Sequence, residues 1–153
     1  MSIARCGNIF GGGDRNWSRL IPGTIRSLLQ QERPLIRSDW QFIRDYLYVA
    51  DAVTAYLLLA EKTESVAGEA FNFAPSQPHT VLEVVGTIQK LMGTELSPKI
   101  LNQARAEIRD QFLTSQKAAR LLGWSSQYSL EEALEETILW YRSYLSKGVY
   151  ALA

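Results

Sequence analysis

Phe42-Ile43-Arg44-Asp45-Tyr46-Leu47-Tyr48-Val49-Ala50-Asp51 is the stretch on which the fold turns. Residues 42–49 are dense in β-branched and aromatic types, which suit a pleated, half-buried surface, so they predict a strand. Asp51 supplies an acceptor able to cap a helix. Val53, Tyr56, Leu57 and Ala60 then recur at helical spacing and predict a helix with these four on its apolar face. A strand feeding directly into a helix is the repeating unit of α/β folds. Arg44 and Asp45 interrupt the apolar pattern. A guanidinium in such a strand needs a partner, either Asp45 or an anionic ligand whose oxygens its planar fork can grip in pairs. Asp51 reads as a helix cap rather than a catalytic acid.

Upstream, Ile3-Ala-Arg-Cys-Gly-Asn8 is short and moderately apolar and predicts a strand, followed by a Gly11-Gly12-Gly13-Asp14 loop. Pro22 suits the first turn of a helix, where its missing N–H is harmless, with Ile21, Ile25, Leu28 and Leu29 on one face. Residues 34–37 read as extended. Downstream, residues 70–73 predict a strand, and Thr80-Val-Leu-Glu83 is a capping-box pattern opening a helix that ends at Gly93. Residues 99–101 read as a short strand and 115–122 as a helix closed by Gly123. Ser129-Leu-Glu-Glu132 opens the longest helix, with Leu130, Leu134, Ile138, Tyr141 and Leu145 inward. The class is α/β, with few short strands and several helices.

The chain has 153 residues, about one domain, and is 46% apolar. Lysine plus arginine balance aspartate plus glutamate at 16 each, so no bulk field favours nucleic acid or an anionic membrane. The single cysteine, Cys6, cannot form an internal disulfide, which fits a reducing compartment. One histidine, His79, and no Cys/His cluster argue against zinc. No apolar run approaches the roughly 20 residues of a membrane span, and the first residues do not form a signal peptide. A cytoplasmic protein is expected.

Three segments could carry chemistry. Gly11 and Gly13 after a strand suggest a dinucleotide loop, but Asn16 stands where the third glycine belongs, so a plain strand-to-helix turn fits equally. Asn8, at a strand's C-terminal end, can donate to a phosphate. Arg105-Ala-Glu107-Ile-Arg109-Asp110 reads as a solvated charge run. His79, next to a helix cap, offers no nucleophilic partner.

In this order, Arg5-x-x-Asn8-x-x-Gly11, Arg19-Leu-Ile-Pro22, Pro34-Leu-Ile-Arg37, Arg44-Asp45-Tyr46-x-x-Val49-x-Asp51 and Leu122-Gly-Trp124 resemble the C-terminal half of the extended short-chain dehydrogenase/reductases that act as NAD-dependent nucleotide-sugar epimerases and dehydratases. Within that family, the CDP-glucose 4,6-dehydratases are similar at the Asp14 turn, Ile36-Arg37-Ser38-Asp39, Phe71-Asn-Phe73, Leu130-Glu-Glu and Trp140-Tyr141.

The resemblance implies one substrate-binding domain over residues 1–153, with 1–17 like a late Rossmann strand and loop and most of that sheet lacking. It implies a nucleotide-diphosphate sugar as ligand. Asn8 and Arg44, helped by Arg105, would hold the diphosphate. Arg19, Leu20, Ile21, Ile36 and Arg37 would line the nucleotide. Arg5 and Cys6 would lie near the nicotinamide end of NAD, whose main site is elsewhere. Two positions depart from the family pattern: Trp40 and Gln31 stand where glycine is expected.

The family's oxidation step uses a Tyr-x-x-x-Lys pair, and none of the seven tyrosines has lysine four residues on. A complete G-x-x-G-x-x-G is also missing. The expectation is therefore a nucleotide-sugar grip, inactive alone as a 4,6-dehydratase (lyase). It would complete an enzyme beside an N-terminal Rossmann partner, or else serve as a non-catalytic binding or interaction module. Apolar helix faces without enough sheet to cover them imply that partner or a homo-oligomer.

Overall fold

A computed structural model describes residues 1–38, 40–103 and 108–146. In chain order the elements are β1 (Ile3–Cys6), β2 (Asn8–Phe10), α1 (Leu20–Leu29), β3 (Leu35–Ile36), β4 (Ile43–Arg44), β5 (Tyr46–Tyr48), α2 (Val49–Glu61), β6 (Ala70–Phe73), β7 (His79–Thr80), α3 (Val81–Met92), β8 (Lys99–Ile100), β9 (Asp110–Gln111), α4 (Gln116–Leu122) and α5 (Leu130–Ser146). They fall into two compact units, each built from three separate stretches.

The first unit comprises Met1–Phe10, Ile43–His79 and Asp110–Leu130. Its strands pair in parallel: β1 on β6 with Ile3 opposite Ala70, β2 on β5 with Asn8 opposite Tyr46, and β4 on β9 with Ile43 opposite Asp110. Leu47, Ala52, Ala55, Leu59, Phe71, Phe73, Ala118, Leu122 and Trp124 form its core. The Phe73 ring meets Trp124 edge-on at 5.1 Å, and the Trp124 indole N–H donates to the Asp51 carbonyl at 3.2 Å.

The two strands read from sequence are each broken once. The first breaks at Gly7 and the second at Asp45, because these residues face each other. A Cβ on Gly7 would lie 2.6 Å from Asp45 Oδ1. The helix that follows also differs from expectation in two ways. Tyr48, not Asp51, holds the N-cap conformation; Asp51 is a buried first-turn residue whose Oδ1 accepts the Gln127 N–H at 2.9 Å. The face of α2 turned to the core carries Ala52, Ala55 and Leu59, while Val53, Tyr56 and Leu57 are 51%, 55% and 58% exposed. α2 is apolar almost all round, so periodicity finds two stripes. The small alanines win the inner one.

The second unit comprises the described residues of Gly11–Phe42, Thr80–Arg109 and Glu131–Ala153. Here α1 packs on α3, and β3 pairs in parallel with β8. The predicted capping box is present: Thr80 Oγ1 accepts the Glu83 N–H at 3.1 Å, and Glu83 accepts the Thr80 N–H at 2.7 Å. α3 closes on Gly93 in the left-handed conformation, with Thr94 N–H on the Gln89 carbonyl and Gly93 N–H on that of Lys90. α1 closes with the same hydrogen-bond pattern, Glu32 to Ser27 and Gln31 to Leu28, but its left-handed residue is Gln31, at φ 59°. Glutamine thus takes the backbone conformation that explains the glycine expected there. α5 buries Ala133, Leu134, Thr137, Ile138 and Tyr141. Among the described residues no helix is long and apolar enough to cross a membrane.

Candidate functional site

In the first unit, the backbone at Asp45 is a junction. Its carbonyl accepts both the main-chain N–H of Asn8 at 3.1 Å and the Asn8 side-chain amide at 3.2 Å. Its carboxylate is buried and accepts the Leu113 N–H at 2.9 Å. Burial pushes the Asp45 carboxyl above its ordinary range. The Leu113 hydrogen bond opposes this, and the Arg44 charge opposes it least of all. Asp45 therefore acts as a scaffold that ties the end of β1 and the start of β2 to the segment after β9. Arg44 is half-buried and donates from its guanidinium to the Ile43 carbonyl at 2.8 Å, which orients the fork. The structure thus brings Asn8 and Arg44 onto residues flanking one fixed aspartate. Sequence reading missed that role for Asp45. Its signal was the isolated carboxylate in an apolar strand, which calls for a backbone donor as readily as for an arginine.

Arg5 is exposed on β1. Cys6 is half-buried against the core, and burial pushes its thiol up, with neighbouring Tyr56 opposing the shift. His79 is half-buried at the start of β7.

In the second unit, the glycine loop is closed by packing. Asp14 accepts the Asn16 N–H at 2.9 Å and the Arg19 guanidinium at 2.7 Å, and its carbonyl accepts the Tyr141 hydroxyl. A Cβ on Gly12 would run into the Trp140 ring. Gly12 is thus small to admit an indole, and the loop does not form a phosphate cradle. Arg19 is the N-cap residue of α1. Leu20 packs on the buried cluster of Ile36, Val81 and Val85. Ile21 and Ile36 are core residues, 3% and 1% exposed. Arg37 is exposed, and its carbonyl accepts the Gln103 N–H at 2.8 Å. Arg105 and Asp39 lie outside the described residues.

These groups can donate hydrogen bonds and positive charge to an anion. Burial pushes the Tyr46 hydroxyl up to about 12 and that of Tyr141 above its ordinary value, the direction opposite to a tyrosine serving as base near neutrality. Among the described residues no group of three His, Cys, Asp or Glu could hold a metal ion.

Residues 1–74 match the NAD dependent epimerase/dehydratase family model. CDP-glucose 4,6-dehydratase of Salmonella typhimurium is 28% identical over 151 residues, covering 95% of this chain and 42% of that protein. UDP-glucose 4-epimerase of Thermotoga maritima, solved with UDP-glucose, superposes with a TM-score of 0.85 at 26% identity, over 94% of this chain and 46% of that one. dTDP-glucose 4,6-dehydratase of Bacillus anthracis, solved with NAD, gives 0.84 at 25% identity, over 93% and 44%. The chain thus spans less than half the length of these relatives. It has the α/β fold of the corresponding part of the extended short-chain dehydrogenases. Sequence kinship and fold agree in likening the chain to the NAD-dependent epimerase/dehydratase family.

Proposed function

We propose that this chain is the nucleotide-sugar-binding part of an NAD-dependent sugar-nucleotide 4,6-dehydratase, with a CDP-glucose-like ligand. The observation that carries the reading is the Asp45 junction, which fixes Asn8 through its carbonyl and bears the oriented guanidinium of Arg44 beside it. A neutral amide donor and a planar cationic fork are the groups a diphosphate needs. Arg105 adds a third donor in this reading. In the second unit, the residues that the resemblance gives as lining the nucleotide are Arg19, paired with Asp14, the exposed Arg37, Leu20, and the buried Ile21 and Ile36.

NAD is the family's cofactor and would supply hydride acceptance. The residues present do not fit its pyrophosphate, because Trp140 fills the space beside Gly12. Arg5 and Cys6 are left to border its nicotinamide end, and no step is derived through it.

The test is Arg44→Lys, which keeps the charge and loses the fork. A charge-assisted hydrogen bond contributes about 1.5–3 kcal/mol. CDP affinity, measured by calorimetric titration, should therefore fall by roughly tenfold or more, at about 1.4 kcal/mol per decade. A lower melting temperature with unchanged CDP affinity would make Arg44 a scaffold residue and sink the assignment.

A further inference from the structure

In the first unit, two cavities adjoin. The larger, about 650 Å³, is lined chiefly by apolar groups, among them Pro75, Pro78, Phe112, Leu113, Ala119 and Trp124. Its size falls within the range of about 300–1,000 Å³ usual for small-molecule sites. The smaller, about 400 Å³, is lined by Asn72, Thr114, Gln116, Lys117 and Arg120. Thr114 and Gln116 line both, so the two make one cleft with an apolar end and a cationic end.

The backbone frame of the cleft is fixed. Ser115 Oγ accepts the Ala74 N–H at 2.8 Å and donates to the Ala74 carbonyl at 2.9 Å, which pins the chain after β6 to the start of α4. At the apolar end, Phe112 is 57% exposed, and an aromatic ring left open beside a cavity offers a flat apolar face. At the other end, Lys117 and Arg120 are neighbours on the surface of α4. Lys117 is committed: its Nζ donates to the Glu69 carboxylate at 2.6 Å and to the Ala70 carbonyl at 2.9 Å. The Arg120 guanidinium and the side-chain amides of Asn72 and Gln116 have no partner among the described residues. Among those residues no carboxylate lines the cleft, so the charge of Arg120 is unanswered within it.

We propose that this cleft binds a small organic carboxylate with a flat apolar body, the body against Phe112 and the two prolines and the carboxylate on Arg120. A planar guanidinium takes both oxygens of one carboxylate in parallel, and a single uncommitted cation suits a monoanion. The Asn72 and Gln116 amides add neutral donors at the same end. Ring side chains at the other end give a flat body apolar contact while its charge stays at the cationic mouth. Asn8 and Arg44 line neither cavity, so the site is separate from the one proposed for a diphosphate and stands without that reading.

The test is calorimetric titration of the chain with naphthoate and with its uncharged counterpart naphthamide. Naphthoate should bind one to one, and naphthamide roughly tenfold more weakly, since the charge-assisted hydrogen bonds are lost. Arg120→Gln should weaken naphthoate by a similar factor and leave naphthamide unchanged. Phe112→Ser should weaken both. Both positions are exposed, so each variant should melt like the parent. Arg44→Lys should leave naphthoate binding as it is. No naphthoate binding at millimolar concentration, equal affinity for the two probes, or a naphthoate affinity indifferent to Arg120→Gln would each overturn the proposal.

Discussion

At the scale of single residues, Asp45 and Gln31 carry the sharpest consequences. The Asp45 carboxyl is raised by burial, so the folded state holds its proton more tightly than the unfolded chain. Its stabilising effect is complete below the ordinary aspartate value of about 3.9 and is lost as pH rises through the raised one. Asp45→Asn keeps an acceptor for the Leu113 N–H and cannot ionise. Urea unfolding from pH 4 to 7 should show the variant gaining on the parent as pH rises, whereas parallel curves would remove burial as the governing cause. Gln31 holds φ 59° at the end of α1, a conformation costing about 1–2 kcal/mol outside glycine. Gln31→Gly should raise the unfolding free energy by about 0.5–1 kcal/mol, since glycine's own chain entropy offsets part of the relief. A loss of stability would mean that the glutamine side chain holds the turn. Asn8 and Arg44 were legible as candidates because amide and guanidinium chemistry is written in residue type. The Asp45–Gly7 approach was not, because it joins residues from different strands.

At the scale of elements, helix ends marked by a capping box or a closing glycine were read well, the Asp51 cap and the helix faces less so. Caps depend on a few adjacent residues, so Thr80 with Glu83 and the terminal Gly93 and Gly123 announce themselves. Which stripe of an apolar helix goes inward depends on what it meets, and α2 shows the difference. Leu59→Ala, on the core face, should cost about 2–5 kcal/mol. Leu57→Ser, on the outer face of the isolated chain, should stay within about 0.5 kcal/mol. Thermal or urea unfolding of the two variants decides between the faces, and reversed magnitudes would restore the stripe expected from periodicity. The strand breaks at Gly7 and Asp45 were hidden for a related reason. Each half finds a different partner strand, β6 and β5 for the first, β9 and β2 for the second, and pairing across the chain leaves no local mark.

At the scale of the whole molecule, these 153 residues alone should form no 4-keto-6-deoxy product from CDP-glucose and NAD, because they include no Tyr-x-x-x-Lys pair. The alkaline absorbance of that product with the purified chain would refute this. The path of the chain has a different outcome, which falls on its synthesis. Each unit is assembled from three stretches that alternate along the sequence. A ribosome making residues at about 5–20 per second therefore holds β1 for several seconds before β6 exists, and longer before α4 arrives to pack on β6. The first unit is not complete until Leu130 has been made, and the second not until the stretch that begins at Glu131 has followed. During that interval an apolar strand hangs uncapped among its neighbours on the polysome, so yield in the cell should respond to translation speed and to chaperones that hold extended segments, more than to the stability of the finished fold.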